Sequence, residues 1–317
     1  SFGGVAVTQT QQSLTSGSPY ESGFNNFIRA ANTSTSSSTT SYIQFYQRIE
    51  AQHIANSGWN FKSSSSFVTL SFWARSSLAG TYYAFVVTDD GTDYYRSKAF
   101  ALSADTWTKV TFTIEGNSNL TINDDNGIGF TVNIVPHYAT GYTGSNANTT
   151  SWYTLVSNDY MPDFAQNWSE SSGATFDVTG VQLELGQVAT PYKHESFGDN
   201  LARCQRYYRQ QNALDIYTRY GAGRAYDTQN AEFYDNHPVQ MRTRPTLVQT
   251  GTAANYAIYH QNAVLTCSGV PTISSGYSTP NMAVIYFSVS SGLTVGQAMT
   301  AISNNNTDSF IGYSADL

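Results

Sequence analysis

Short segments of alternating apolar and polar residues recur along the first 190 residues. The alternation is clearest over Phe67–Ala74 and Ala174–Leu185. A period of two turns successive side chains to opposite faces, which predicts β-strands buried on one face. Asp89-Asp90-Gly91-Thr92 separates two such segments, and Asp-Gly between apolar runs indicates a β-hairpin. The other strands predicted in this region are 42–49, 81–88, 93–102, 107–115 and 127–135.

The spacing of these strands predicts the fold class. Strands every ten or so residues, separated by turn-forming residues, are typical of a jelly-roll β-sandwich, here residues 1–190. Residues 1–41, rich in Gly, Ser and Thr, predict one strand and a flexible loop. Residues 191–209 are predicted to be a linker and a short helix capped by Asp199, with Leu201, Cys204 and Tyr208 at helical spacing.

Residues 210–317 predict a second, sandwich-like β domain. Its strands are expected at 241–249, 256–260, 263–268, 282–290 and 310–313. Pro245 cannot donate a hydrogen bond to a neighbouring strand, so the first of these is expected at an edge or bulge. The chain is therefore predicted to be all-β, with a short helix between two β domains.

Composition limits the class of partner. The net charge of -7 argues against a nucleic-acid partner. No run of 18 apolar residues occurs, so no membrane insertion is predicted. Beyond Arg244 there is no Lys or Arg, and this apolar tail predicts burial against copies of the same chain, because interface cores are depleted of charge. The two cysteines, Cys204 and Cys267, are expected to be small buried side chains.

No catalytic residue is assigned from the sequence. The five histidines show no metal-binding spacing, and neither a nucleophile elbow nor a phosphate-binding glycine motif occurs. A pair of carboxylates for glycoside hydrolysis leaves no sequence signature, so a glycan depolymerase stays open as an alternative. The sequence predicts a protein that is not an enzyme.

Three segments of the second half resemble bacteriophage tail-fibre and virion-appendage proteins. Thr175–Gln210 reads TFDVTGVQLELGQVATPYKHESFGDNLARCQRYYRQ, a strand that leads into a helix at the junction these proteins share. Residues 238–246 and the C-terminal residues 304–306 and 314–317 are similar to the same family. The resemblance implies an extracellular virion protein, in a tail fibre or capsid appendage, that forms a homotrimer and binds other virion proteins.

The first half is similar to carbohydrate-binding-module jelly rolls. The similar phrases are VTLSFWARSS (68–77), WTKVTFTIEG (107–116) and FDVTGVQLELG (176–186). Such modules occur as sugar binders and as inert spacers, so the resemblance implies either attachment to host surface glycans or a purely architectural role. It also implies that a structural calcium ion could be bound, with no other cofactor.

Aromatic residues concentrate between residues 136 and 173, interleaved with Asn, Asp and Gln. Exposed rings beside hydrogen-bonding side chains suit sugars, which present apolar C–H faces and hydroxyls. The alternative is that these rings cover the sandwich edge or a neighbouring subunit. The predicted glycan-binding residues are Tyr138, Tyr142, Trp152, Tyr153, Tyr160 and Trp168.

Two sets of charged residues are further candidates. The acidic turns at Asp89, Asp90 and Asp93, and at Asp124 and Asp125, carry oxygens that calcium prefers, although neither has the EF-hand spacing. The alternative that we favour is that both are solvated hairpin turns. Seven arginines between 203 and 244 could bind acidic glycans or, as we favour, pair with nearby acids within a trimer. They are Arg203, Arg206, Arg209, Arg219, Arg224, Arg242 and Arg244, and the acids are Asp199, Asp215, Asp227, Glu232 and Asp235.

Overall fold

The computed structural model describes residues 2–317. The chain divides after Lys193 into two compact units, unit 1 and unit 2 (His194–Leu317). No helix in the described part of the chain is long and apolar enough to cross a membrane. The elements of unit 1 are β1 Phe2–Gly3, β2 Val7–Ser13, α1 Ser18–Glu21, β3 Asn26–Asn32, β4 Tyr42–Glu50, α2 Ala51–Ala55, β5 Phe67–Ser76, β6 Gly80–Thr88, β7 Tyr94–Leu102, β8 Thr108–Glu115, β9 Ile128–Tyr138 and β10 Thr175–Leu185.

Unit 1 is an antiparallel β-sandwich. One sheet has the strand order β1-β4-β9-β6-β7 and is called the groove sheet, after the groove on its outer face that is described below. The other has the order β2-β3-β10-β5-β8 and is called the back sheet. The core holds side chains from both sheets, among them Leu70 and Phe72 of β5 and Ala84 and Val86 of β6. The predicted hairpin is confirmed, since β6 and β7 pair from Gly80–Leu102 to Thr88–Tyr94. The all-β sandwich prediction is confirmed.

Residues 1–41 contain more structure than predicted. Strands β2 and β3 pair along their whole length, from Val7–Asn32 to Ser13–Asn26, where one strand and a flexible loop were expected. Strand β2 is the edge strand of the back sheet, and most of its side chains are exposed. Its sequence VTQTQQS therefore lacks the apolar positions that mark a half-buried strand.

Unit 2 contains one helix, one short 3-10 helix (Ala253–Asn255) and ten strands in residues 194–317. The N-cap of the helix lies three residues before the predicted one, because Ser196 and not Asp199 caps it: the Ser196 Oγ accepts a hydrogen bond from the Asp199 N–H at 3.2 Å. The elements are α3 Phe197–Gln205, β11 Tyr208–Asn212, β12 Arg219–Ala225, β13 Asn230–Asn236, β14 Thr246–Gln249, β15 Tyr256–His260, β16 Ala263–Thr266, β17 Thr272–Ile273, β18 Met282–Ser288, β19 Ala298–Ser303 and β20 Phe310–Ser314.

The strands of unit 2 form a seven-stranded sheet, β16-β15-β19-β12-β13-β18-β17, and a three-stranded sheet, β11-β20-β14. Phe233, Tyr256, Phe287 and Tyr313 are its largest buried side chains. Strand β14 begins only after Pro245, so the strand predicted over 241–249 is four residues long. The prediction for the cysteines is half wrong, because Cys267 is buried and Cys204 on α3 is exposed.

Candidate functional site

The outer face of the groove sheet carries large side chains that point away from the sandwich core. In β6, Tyr82, Ala84 and Val86 belong to the core, so the residues between them face outward. The neighbouring strand β9 sends Phe130, Val132 and Ile134 inward in the same way. The outward residues of the two central strands are Tyr83, Phe85, Val87, Thr131, Asn133 and Val135.

Residues 139–173 fold back over part of this face. Tyr153 and Tyr95 exchange two backbone hydrogen bonds of 2.7 and 2.9 Å, which attach the segment to the edge strand β7. Phe164 of the same segment packs edge to face on Tyr83, with ring centroids 5.0 Å apart. The Tyr83 end of the face is therefore covered, and the end that contains Val87 stays open.

The open end forms a groove of about 300 Å³. Aromatic rings and hydrogen-bonding side chains alternate around it, as expected where strands with a period of two lie side by side. The groove is lined by Gln44, Tyr46, Arg48, Phe85, Val87, Asp89, Tyr95, Thr131, Asn133, Tyr138 and Tyr160.

The tyrosines of the groove hold one another in place. The ring of Tyr160 packs edge to face on Tyr138 and on Tyr95, at centroid distances of 5.7 and 5.6 Å. Burial raises the pKa of all three phenols, so each is a neutral hydroxyl at physiological pH. The Tyr138 hydroxyl donates to Gln44 Oε1. Tyr46 differs from these three because 44% of its surface is exposed.

Only some of the polar groups of the groove form hydrogen bonds within the protein. Asn133 is 3% exposed, yet its side-chain amide has no hydrogen-bond partner within residues 2–317. Buried polar groups are usually paired, so this amide is available to a ligand. The Asp89 Oδ2 accepts a 2.8 Å hydrogen bond from Thr131. Burial raises the pKa of Asp89, and the Thr131 hydrogen bond and the Arg48 charge oppose that rise.

The structure separates the six aromatics predicted to bind glycans into three groups. Tyr138 and Tyr160 line the groove. Tyr142 and Tyr153 pack behind them, Tyr142 against the Tyr138 ring at 5.6 Å and Tyr153 through its hydroxyl to Ser97 Oγ at 2.6 Å. Trp152 and Trp168 are 9% and 0% exposed.

The two tryptophans belong to the core of the sandwich. The Trp152 Nε1–H donates to the backbone carbonyl of Glu115 at 2.8 Å, which fixes the indole ring against β8. Their rings are therefore not accessible in the groove. The sequence reasoning also missed Tyr46, Tyr95 and Asn133. The signal for Tyr46 was present, because Gln44, Tyr46 and Arg48 occupy the alternate positions of a predicted strand.

The acidic turns are held by hydrogen bonds within the protein. Asp90 accepts from the backbone and the side chain of Asn123 at 2.8 and 2.7 Å, and Asp125 accepts from the Gly127 N–H at 2.8 Å. Residues 2–317 contain no group of three or more His, Cys, Asp or Glu side chains that could hold a metal ion. A calcium ion stays a prediction from the sequence.

The arginines of unit 2 form pairs within the chain. Arg209 lies 2.8 Å from Asp235, and Arg224 lies 2.6 Å from Glu232. These are two of the predicted partnerships, and neither needs a second subunit. The other contacts are Arg203 with Glu195, Arg219 with the Tyr259 ring, Arg242 with the backbone carbonyls of Ala315 and Asp316, and Arg244 with the carbonyl of Ser275.

Comparison with known proteins gives low similarity throughout. No protein-family model matches the sequence, and no curated protein matches it. The chain has partial structural likeness to the enzymatically active domain of bacteriophage CBA120 tailspike protein 4. That match has 12% identity and a TM-score of 0.34, and it covers 59% of this chain and 19% of the tailspike chain.

Two carbohydrate-binding modules show a likeness of the same order. A family 4 module matches with 14% identity over 50% of this chain and 71% of its own, at a TM-score of 0.28. The tandem family 22 modules of Paenibacillus barcinonensis Xyn10C match with 10% identity over 98% of this chain and 90% of theirs, at a TM-score of 0.30. All three TM-scores lie below 0.5, so the functional argument rests on the groove itself.

Proposed function

We propose that the protein is a non-enzymatic structural protein of a phage fibre or virion appendage and that its groove binds host surface glycans. The observation that carries the glycan part is the open groove in which a buried Asn133 amide without a partner lies near an exposed Tyr46 ring. The phage part rests on the resemblance of residues 175–210 to the junction of tail-fibre proteins.

The chemistry of the groove matches that of a sugar. The apolar C–H face of a sugar ring stacks on an exposed aromatic ring such as Tyr46. The Asn133 amide supplies both a donor and an acceptor, which suits a pair of adjacent hydroxyls. Because the groove already excludes much of the water around Asn133, hydrogen bonds to a ligand would replace few bonds to water. Each such bond contributes about 1 kcal/mol to binding.

We also propose self-association, and α3 supports it. No residue of this helix is buried, and Phe197 and Leu201 are 82% and 42% exposed. Phe197, Leu201 and Cys204 follow one another at intervals of four and three residues, which places them on one stripe of the helix. A homotrimer formed along this stripe would carry three grooves, and several weak sites raise avidity by orders of magnitude without any new contact.

The stripe on α3 also favours a second candidate function, an architectural component that binds only other virion proteins. A glycan depolymerase needs two carboxylates about 5–5.5 Å or about 6.5–9.5 Å apart. Among the residues that line the groove, all within 2–317, Asp89 is the single carboxylate. The depolymerase is therefore the least supported of the three.

A glycan array probed with the full-length chain tests the proposal. We expect binding to host surface glycans, weakened about tenfold or more by Tyr46→Ala and by Asn133→Ala in calorimetry. Tyr20→Ala is the matched control, because Tyr20 has a similar exposure of 45% but lies on α1, outside the groove.

Sedimentation of the wild type and of Leu201→Asp tests self-association separately. A trimer that dissociates in the variant supports the stripe on α3 as the interface. A folded chain that binds no glycan from any susceptible host would remove the attachment function and leave the architectural one.

A further inference from the structure

One end of the groove carries a concentration of negative charge. Asp89 lines the groove at the end of the β6–β7 hairpin. Burial raises the pKa of Asp89, and the negative charges of Asp93 and Asp90 raise it further. Within residues 2–317, the positive charge of Arg48 acts on the pKa of Asp89 in the opposite direction. Asp89 and Arg48 line the groove, and Asp90 and Asp93 lie close enough to act on Asp89, so these four groups carry a formal charge of -2, which attracts a cation.

Two of the three carboxylates near this end have oxygens that accept no hydrogen bond within residues 2–317. The Asp89 Oδ2 accepts the Thr131 hydrogen bond, while its Oδ1 has no hydrogen-bond partner within residues 2–317. Asp93 is exposed, and its carboxylate makes no hydrogen bond in the same described range. Asp90 differs, because Asn123 occupies both of its oxygens. Asp89 and Asp93 are thus free to accept from a ligand.

Aromatic rings stand beside these acids. Phe85, Tyr95 and Tyr160 lie in mutual contact, with centroids 5.6 to 6.0 Å apart. Asp93 is close enough to raise the pKa of Tyr95 and Tyr160, after the larger effect of burial. An ammonium group gains both from the carboxylates and from the electron-rich faces of such rings, by about 0.5–2 kcal/mol for each cation–π contact.

We infer that this end of the groove binds a protonated amino sugar, whose ammonium group lies between the Asp89 carboxylate and the Phe85, Tyr95 and Tyr160 rings. The inference rests on the proposed glycan-binding function and adds the class of sugar. The Arg48 guanidinium, 5.3 Å from the centre of the Tyr46 ring, repels an ammonium group, but the three acids near this end outnumber it. An N-acetylated sugar lacks the positive charge and gains nothing from them.

The test uses the full-length chain and three tetrasaccharides with the same β-1,4 linkage, made of glucosamine, N-acetylglucosamine or glucose. We expect the glucosamine tetramer to bind at least about tenfold more tightly than the other two in calorimetry. Asp89→Asn keeps an acceptor for Thr131 and removes the charge, so it should abolish this preference. Asp105→Asn removes an equal charge from the β7–β8 connection, outside the groove, and should leave the preference unchanged.

The outcomes separate the two proposals. Equal affinity for all three tetramers would overturn the amino-sugar inference and leave glycan binding intact. A preference for the glucosamine tetramer that survives Asp89→Asn would have the same two consequences. Failure of all three to bind, with a negative glycan array, would overturn both. Should Asp89→Asn fail to fold, the comparison of the three tetramers on the wild type still decides the inference.

Discussion

The two sheets of unit 1 are both antiparallel and five-stranded, but the buried polar side chains on their outer faces differ in hydrogen bonding. On the back sheet, Asp177 is 1% exposed and accepts hydrogen bonds from Arg29 at 2.7 and 2.9 Å and from Arg75 at 2.9 Å. On the groove sheet, the equally buried Asn133 has no partner within residues 2–317. The back sheet pairs this buried carboxylate within the protein, whereas the groove sheet leaves the buried Asn133 amide for a ligand.

The contrast extends to the aromatic residues. On the back sheet, the Arg75 guanidinium covers the Trp107 ring at 4.7 Å and the Phe27 ring at 5.3 Å. On the groove sheet, the Arg48 guanidinium also lies over the Tyr46 ring, at 5.3 Å, but this ring keeps 44% of its surface exposed beside the groove, whereas Phe27 is 6% exposed. Exposed aromatic residues on a face do not by themselves indicate a binding site. What distinguishes the groove is an accessible ring together with a polar group that the fold leaves without a partner.

The largest expected effect concerns a residue that the sequence suggested for binding. Trp168→Ala removes a fully buried indole from the core and should lower the free energy of unfolding by about 4 kcal/mol. Urea denaturation measures this loss. Glycan affinity of the protein that remains folded should match the wild type, and a selective loss of affinity without a loss of stability would contradict the placement of this ring.

A second variant breaks the internal pairing of the back sheet. Asp177→Ala leaves the Arg29 and Arg75 side chains, 30% and 24% exposed, without their carboxylate. We expect urea denaturation to show a free energy of unfolding lower by about 3 kcal/mol, because removing one partner of a buried ion pair leaves the other charges uncompensated. Thr111→Ala, in strand β8 at the edge of the same sheet, is an exposed control that should change stability by less than about 0.5 kcal/mol.

The groove sheet should lose stability at acid pH through His137. Burial lowers the pKa of this histidine to about 4, from 6.5 in the unfolded chain, and its Nδ1 has no partner in the described structure. Between these values the unfolded state binds more protons. Stability is therefore complete above pH 6.5 and falls as the pH drops towards 4, by at most about 3 kcal/mol.

Thermal denaturation from pH 7 to pH 4.5 measures this dependence, with His137→Gln as the comparison. The variant should start less stable, because it loses the Ser41 contact to Nε2, and should decline less steeply above pH 5. Identical slopes for the two proteins would show that His137 is not the titrating group.

The smallest expected effect on stability belongs to Asn133→Ala. Its amide makes no hydrogen bond within residues 2–317, so removing it should change the free energy of unfolding by less than about 1 kcal/mol. Chemical denaturation checks this. A loss above about 2 kcal/mol would mean that the amide is satisfied inside the protein, as Asp177 is, and the contrast between the two faces would fail.

Sequence reasoning predicted the sandwich because apolar and polar residues alternate in several strands, as in β8, where buried positions alternate with exposed or half-buried ones. It could not predict the exposure of the aromatics in residues 139–173, since that segment has no period and its contacts come from strands far along the chain. Trp152 and Tyr160 look equivalent in the sequence, yet one enters the core and the other lines the groove. Strand β2 was not predicted because it is an exposed edge strand and therefore carries no apolar pattern.

The most direct test of the central claim is a crystal structure of the chain with the tightest-binding oligosaccharide from the array. The account predicts density for a sugar ring stacked on Tyr46, with a hydroxyl within hydrogen-bonding distance of the Asn133 amide. An empty groove, with the oligosaccharide bound on the back sheet or on unit 2, would contradict it.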